Sequence, residues 1–139
     1  MVVALHLGVA SRAPLLAVER VNALLGRGLE GDRHLKPNGS RTVLLVEQEV
    51  LERFGLSPGA VREQVTVRGL DLMNLPASSR LRIGGATLEV GEPCAPCGRM
   101  EELRPGLRDA LQGRRGRFVQ VVEAGSFAVG DVIVAEPPG

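Results

Sequence analysis

Residues 81–90, LRIGGATLEV, set two alternating runs of apolar and polar residues on either side of a Gly-Gly pair. Alternation of period two marks a strand with one buried face. Glycine reaches the positive φ values that a two-residue hairpin turn demands. The segment is therefore read as a β-hairpin with Gly84-Gly85 at its tip. It fixes two antiparallel neighbours by local chemistry, and the rest of the chain offers more strands of the same short kind.

Val2–Val9 and a stretch within Leu15–Leu25, which ends at Gly26, read as strands. Thr42–Val46, TVLLV, is a continuous apolar run of the buried type, and Gln64–Arg68, QVTVR, alternates. Late strands are expected at Phe118–Val122 and Val132–Val134, joined through Gly125 and Gly130-Asp131. Helical spacing occurs twice. Val50, Leu51 and Phe54 share one face of Glu47–Phe54, which Gly55 closes as a C′ glycine. Met100, Leu103, Leu107 and Leu111 form a second stripe, read as core packing and interrupted at Pro105. Ser57-Pro58-Gly59 is a turn and Pro137-Pro138-Gly139 a frayed tail. Gly26–Ser40, GRGLEGDRHLKPNGS, is dense in glycine and charge and is expected to be a loop. A structureless loop of that length in a compact domain is usually functional or disordered.

Strands and helices do not alternate strictly, which argues against a doubly wound parallel sheet. The expected fold is mainly β, a barrel-like or curled sheet with a few short peripheral helices, in one domain spanning residues 1–139. The net charge of +1 gives no global attraction to nucleic acid or an acidic membrane. Three phenylalanines with no tyrosine or tryptophan leave no base-stacking surface. No run approaches the roughly 20 apolar residues of a membrane span. The N-terminus lacks a positive region ahead of its apolar run, so a cytoplasmic location with reduced thiols is expected. Lys36 is the only lysine among 17 basic residues. High genomic GC content accounts for such a bias, and arginine also offers a planar fork matched to phosphate and carboxylate.

Both cysteines fall in GEPCAPCGRM, residues 91–100. Cys94 and Cys97 have the spacing of a redox dithiol, but that motif belongs early in a βαβ pattern, whereas here it follows some ninety residues of strands. A zinc site built from Cys94, Cys97, His34 and Asp32 would lack a second closely spaced ligand pair. Buried filler thiols fit poorly with the prolines beside each cysteine. A reactive or metal-binding thiolate remains, and Cys97 has Arg99 two residues on and a helix start just after it.

Five stretches, in order, resemble the MOSC domain, named for the C-terminal domain of molybdenum-cofactor sulfurases. They are GLEGDRH at 28–34, RTVLLVEQEVLERFGL at 41–56, SPGAVREQVTVRGLDLMNL at 57–75, LRIGGATLEVGEPCAPC at 81–97 and GRFVQVVEAGSFAVGD at 116–131. The resemblance implies a strand-rich, barrel-like fold and a role at the molybdenum cofactor, molybdopterin. The domain would carry sulfur as a cysteine persulfide or hold molybdenum through a cysteine thiolate. Pro96-Cys97-Gly98-Arg99 matches the family's cysteine segment better than the stretch around Cys94, so Cys97 is the expected catalytic residue and metal ligand. Family members read Glu-Asn where this chain has Glu63-Gln64, and the longer amide changes the reach of that position.

A site for molybdopterin needs cations or amides for its phosphate and hydrogen-bonding groups for its pterin. The expected contributors are Gly31, Arg33, Arg41, Glu63, Gln64 and Arg99, with Asp32 and His34 joining Cys97 in the chemistry. The run of Arg114, Arg115 and Arg117 is read as a solvated face. No pyridoxal-phosphate domain is recognisable, so sulfur or electrons would come from a partner protein. A non-catalytic cofactor-binding module and a Cys-x-x-Cys thiol-disulfide protein are the alternatives.

Overall fold

The computed structural model describes residues 1–37 and 41–138. The chain runs through β1 (Val2–Leu7), β2 (Leu16–Val18), β3 (Arg20–Leu24), β4 (Gly28–Leu29), β5 (Val43–Glu47), α1 (Gln48–Arg53) and β6 (Val65–Val67). A 3-10 turn at Leu72–Asn74 leads to β7 (Arg80–Ile83) and β8 (Ala86–Pro93). Two short helices, α2 (Gly98–Leu103) and α3 (Leu107–Ala110), precede β9 (Arg117–Glu123), β10 (Gly125–Ala128) and β11 (Ile133–Glu136).

Eight strands form one sheet in the order β11-β7-β8-β9-β5-β6-β1-β2, and β10-β3-β4 form a second. The mainly-β expectation holds, but the barrel does not close. The large sheet keeps open ends at β2 and β11. The chain leaves β2 after three residues and enters the second sheet at Arg20, so β2 cannot continue the large sheet round to β11. Leu15–Leu25 is therefore two strands in two sheets, broken at Glu19.

The hairpin forms as read, with Ile83 opposite Ala86 and Gly84 at φ +54. A side chain at Gly84 would press on the Ser126 carbonyl and the Phe127 Cβ, because β10 packs against the turn. The apolar run of β5 is buried on both faces. Val43 and Leu45 enter the main core between the sheets, with Leu81, Leu88 and Val119. Leu44 and Val46 face the opposite way and pack with Leu51, Val61, Met100, Leu107 and Leu111 around the three helices. β5 pairs antiparallel with β9 and parallel with β6.

The second helical stripe is two helices. Pro105 ends α2, and Gly106 at φ +87 turns the chain into α3. Met100 and Leu107 are buried as core, whereas Leu103 is 46% exposed. Ile133–Glu136 lies one or two residues beyond the expected last strand, and β10, Gly125–Ala128, was expected only as a connection. No helix among the described residues is long and apolar enough to cross a membrane.

Candidate functional site

The segment after β4 is folded back rather than structureless. Gly31, at φ +89, lets the chain turn, and the Arg33 amide then donates to the Gly8 carbonyl at 2.7 Å. Asp32 is thereby buried against the end of β1. Its Oδ2 accepts the Gly8 amide at 2.8 Å, and its Oδ1 accepts the His34 amide at 2.8 Å. The same Oδ1 lies 2.9 Å from His34 Nδ1. Burial pushes the Asp32 carboxyl upward, but the His34 ring and the Gly8 and His34 amides together hold it below its ordinary value. Asn38, Gly39 and Ser40, the end of the expected loop, lie outside the described residues.

Gln64 braces this pair from the start of β6. Its Oε1 accepts the Leu44 amide at 2.8 Å, and its Nε2 lies 3.4 Å from Asp32 Oδ2. On the other side of the ring, Arg33 Nη1 is 3.2 Å from His34 Nε2. Guanidinium can only donate. An imidazole with its proton on Nδ1 satisfies both contacts, so Nε2 is the nitrogen that accepts from Arg33.

His34 lines a cleft of about 250 Å³ together with Gln64, Cys94, Cys97 and Arg99. Leu44, Met100 and Phe118 supply its apolar wall, so the cleft opens on the helical side of the large sheet. Among the described residues six arginines line it (Arg12, Arg33, Arg41, Arg62, Arg99 and Arg115) and no carboxylate does. Arg41 stacks over the Phe118 ring at 5.2 Å while its Nε pairs with Glu92 at 2.6 Å. Arg62 is held on the floor of this region by a 2.6 Å hydrogen bond to the Ala13 carbonyl. Burial, then the neighbouring charges of Arg99 and Arg33, lower the proton affinity of Arg62. Arg115 is buried, donates from Nη2 to the Val61 carbonyl at 2.6 Å, and leaves Nε and Nη1 without partners among the described residues.

The two thiols differ in setting. Cys97 is exposed and heads α2, while Cys94 is half-buried against the helical core. The Cys94 amide donates to the Gly116 carbonyl at 2.8 Å, which ties the cysteine segment to the start of β9. Burial pushes the Cys94 thiol above its ordinary value, against the pull of Arg115. Both thiols are free. Among the described residues no three histidine, cysteine, aspartate or glutamate side chains gather as a metal site, so the zinc arrangement does not form.

Cys97, His34, Arg33, Arg41, Gln64 and Arg99 thus come together, with Asp32 directly behind the ring and Gly31 shaping its loop. Glu63 does not join them. It is fully buried and accepts the Gly59 amide at 2.8 Å and the Thr66 hydroxyl at 2.6 Å. The Arg114–Arg117 run is not a solvated face, since Arg115 and Arg117 are each about nineteen-twentieths buried. Arg117 donates to the carbonyls of Leu72, Met73, Leu75 and Gly91. Arg62 and Arg115 are cleft residues that the sequence reading did not select. The one local signal for Arg62 is its place after a Pro-Gly turn, where its φ is +69.

Fold and cleft together define a mainly-β domain that presents an exposed thiol to an arginine-lined hollow. The family model described as MOSC domain matches residues 18–134, and the chain belongs to the MOSC domain family. Among solved structures, the YuaD protein of Bacillus subtilis is similar at a TM-score of 0.80 with 23% identity, covering 100% of this chain and 98% of that one. YiiM of Geobacillus stearothermophilus is similar at a TM-score of 0.75 with 20% identity, over 96% of this chain and 73% of that one. YiiM of Escherichia coli gives a TM-score of 0.73 with 18% identity, over 99% and 70% of the two chains. At these identities the likeness is one of fold. No match was found among curated protein sequences.

Proposed function

We propose that the arginine-lined cleft binds a molybdopterin-type cofactor and that Cys97 is the sulfur through which the domain acts on it. The MOSC family is associated with that cofactor. The observation that carries the reading is an exposed thiol opening onto a hollow with six arginines and no carboxylate. A phosphate-bearing ligand needs fixed donors. Arg115 fits this need most directly, because its buried Nε and Nη1 have no partner among the described residues. Arg33 and Arg99 add charge at the mouth, and Cys97 would offer a thiolate to the metal. When bound, the cofactor would supply a molybdenum centre for sulfur exchange or for reduction of N-oxygenated compounds.

The protein's own groups define what surrounds that chemistry. His34 can accept a proton at Nε2 once Arg33 releases it, and Asp32 stabilises the resulting imidazolium through Nδ1. As a sulfur carrier, the Cys97 thiolate would attack the outer sulfur of a donor protein's persulfide. The donor's S–S bond breaks, the donor leaves as a thiolate, and Cys97 keeps the transferred sulfur with no net oxidation. A reductive role would take electrons from a partner protein. A dithiol role has one supporting observation, that Cys94 lines the same cleft as Cys97.

The test is metal and pterin analysis of protein made in a cofactor-producing host, beside mass spectrometry after treatment with a persulfide donor. Cys97→Ser and Cys94→Ser are run in parallel. Molybdenum with pterin, or one added sulfur on Cys97, lost in the Cys97 variant and retained in the Cys94 variant, is the expected result. Absence of both signals from the wild type overturns the proposal, and their loss in the Cys94 variant alone favours the dithiol reading.

A further inference from the structure

A second hollow, of about 370 Å³, adjoins the thiol cleft and shares Arg12, Arg62, Arg99 and Met100 with it. Its remaining surface is largely apolar, formed by Pro14, Leu15, Ala60 and Leu103. Leu103 is the member of the α2 stripe that does not enter the core, at 46% exposure. The one carboxylate in the lining, Glu102, is engaged with Arg12 at 3.4 Å. Arg62 and Arg99 stand between the two hollows. Among the described residues the Arg99 guanidinium makes no hydrogen bond or ion pair, and the Arg62 guanidinium has only the neutral Ala13 carbonyl. Arg62 also holds a left-handed backbone, φ +69, which a non-glycine side chain adopts at a cost. Two uncompensated guanidiniums beside an apolar wall complement an anion that carries an apolar body. The volume falls at the small end of the roughly 300–1,000 Å³ range of ligand sites.

We propose that this second hollow is a subsite for small organic acids, with Arg99 and Arg62 holding the acidic group and Leu15, Ala60 and Leu103 covering the apolar remainder. This rests on the thiol cleft being the reacting centre, because the shared arginines would place the acid's polar end toward Cys97. The size and charge select compounds such as single-ring carboxylates over neutral or cationic ones.

The experiment uses the full chain without added cofactor, so its failure leaves the reading of Cys97 untouched. Methyl-labelled protein is titrated with phenylacetate and, separately, with phenylacetamide, its neutral counterpart. Phenylacetate should give saturable shifts at the Leu15 and Leu103 methyls, with affinity at least about tenfold above the amide. Arg99→Gln should remove that preference, and Leu103→Ser should weaken both probes; both residues are partly exposed, so the variants should fold. No saturable shift, equal affinity for the two probes, or full affinity in Arg99→Gln would each overturn the proposal.

Discussion

Asp32 takes two hydrogen bonds on a single oxygen from one residue, His34: the backbone amide at 2.8 Å and the ring Nδ1 at 2.9 Å. The pairing fixes both the course of the loop and the tautomer of the ring. In Asp32→Asn the new amide would set its N–H₂ against the Gly8 amide or the His34 amide, whichever way it turned. Leaving a buried donor unpaired costs about 1–3 kcal/mol. The variant should lose that much in urea unfolding and should show displaced His34 ring resonances by NMR.

The same carboxyl gives a pH dependence with a definite sign. Its folded-state value lies below the ordinary one, so its stabilisation is complete above the unfolded-chain value of about 3.9 and fades as pH falls through the lower folded value. Stability of the wild type should therefore drop as pH falls below about 4, and Asp32→Asn should show a shallower drop there. Unfolding curves collected from pH 6 downward check this.

The two thiols should react unequally. Cys97 is exposed, whereas Cys94 is half-buried with its thiol pushed upward by burial. Limited iodoacetamide at pH 7 should label Cys97 faster by about tenfold or more, and Cys94 should gain as pH rises. Peptide mass spectrometry on a time course distinguishes them. Equal rates would remove the reason for separating their roles.

Arg117 has a structural task. Its guanidinium gathers four carbonyls, three from the 3-10 turn and its end at Leu75 and one from Gly91 in β8. Arg117→Met should destabilise by about 3 kcal/mol or more, since buried acceptors are left empty and a charge-assisted network disappears. Arg117→Lys should recover only part, because a single ammonium cannot reproduce the fork. Midpoints of chemical denaturation give both values.

Gly116 admits no side chain. Its φ is +132, and a Cβ there would land on the Leu45 carbonyl and press on Val46 and Leu44. Gly116→Ala should cost about 3 kcal/mol or more, and the disturbance should reach Cys94, whose amide is bound to the Gly116 carbonyl. Lower stability together with faster labelling of Cys94 is the expected pair of changes.

What could be read in advance divides along local and distant causes. The Gly84-Gly85 hairpin and the α1 helix closed by Gly55 follow from neighbours in sequence, and both form as read. β5 was legible as a buried strand because four consecutive apolar residues, Val43–Val46, leave no face for water. The break at Glu19 was not, since it reflects which partner each half finds: β1 for Leu16–Val18 and β10 for Arg20–Leu24. Arg115 and Arg117 read as solvated because their acceptors, at Val61, Leu72–Leu75 and Gly91, lie far away along the chain. Asp32, His34 and Gln64 were placed at the site through the family resemblance, and the bonds that join them became visible only in three dimensions.

The wide separation of cleft partners along the chain has a kinetic consequence. Gly8 meets Asp32 across 24 residues, Gln64 meets Asp32 across 32, and Arg115 meets Val61 across 54. No fragment short enough to leave the ribosome early contains the whole constellation. Folding should thus be slow for a chain of this size, as expected where non-local pairing dominates, and ligand-binding competence should arise in a single late step. A ligand that occupies the cleft would then act on the stability of the entire domain rather than on one loop, which makes the thermal transition itself a gauge of occupancy.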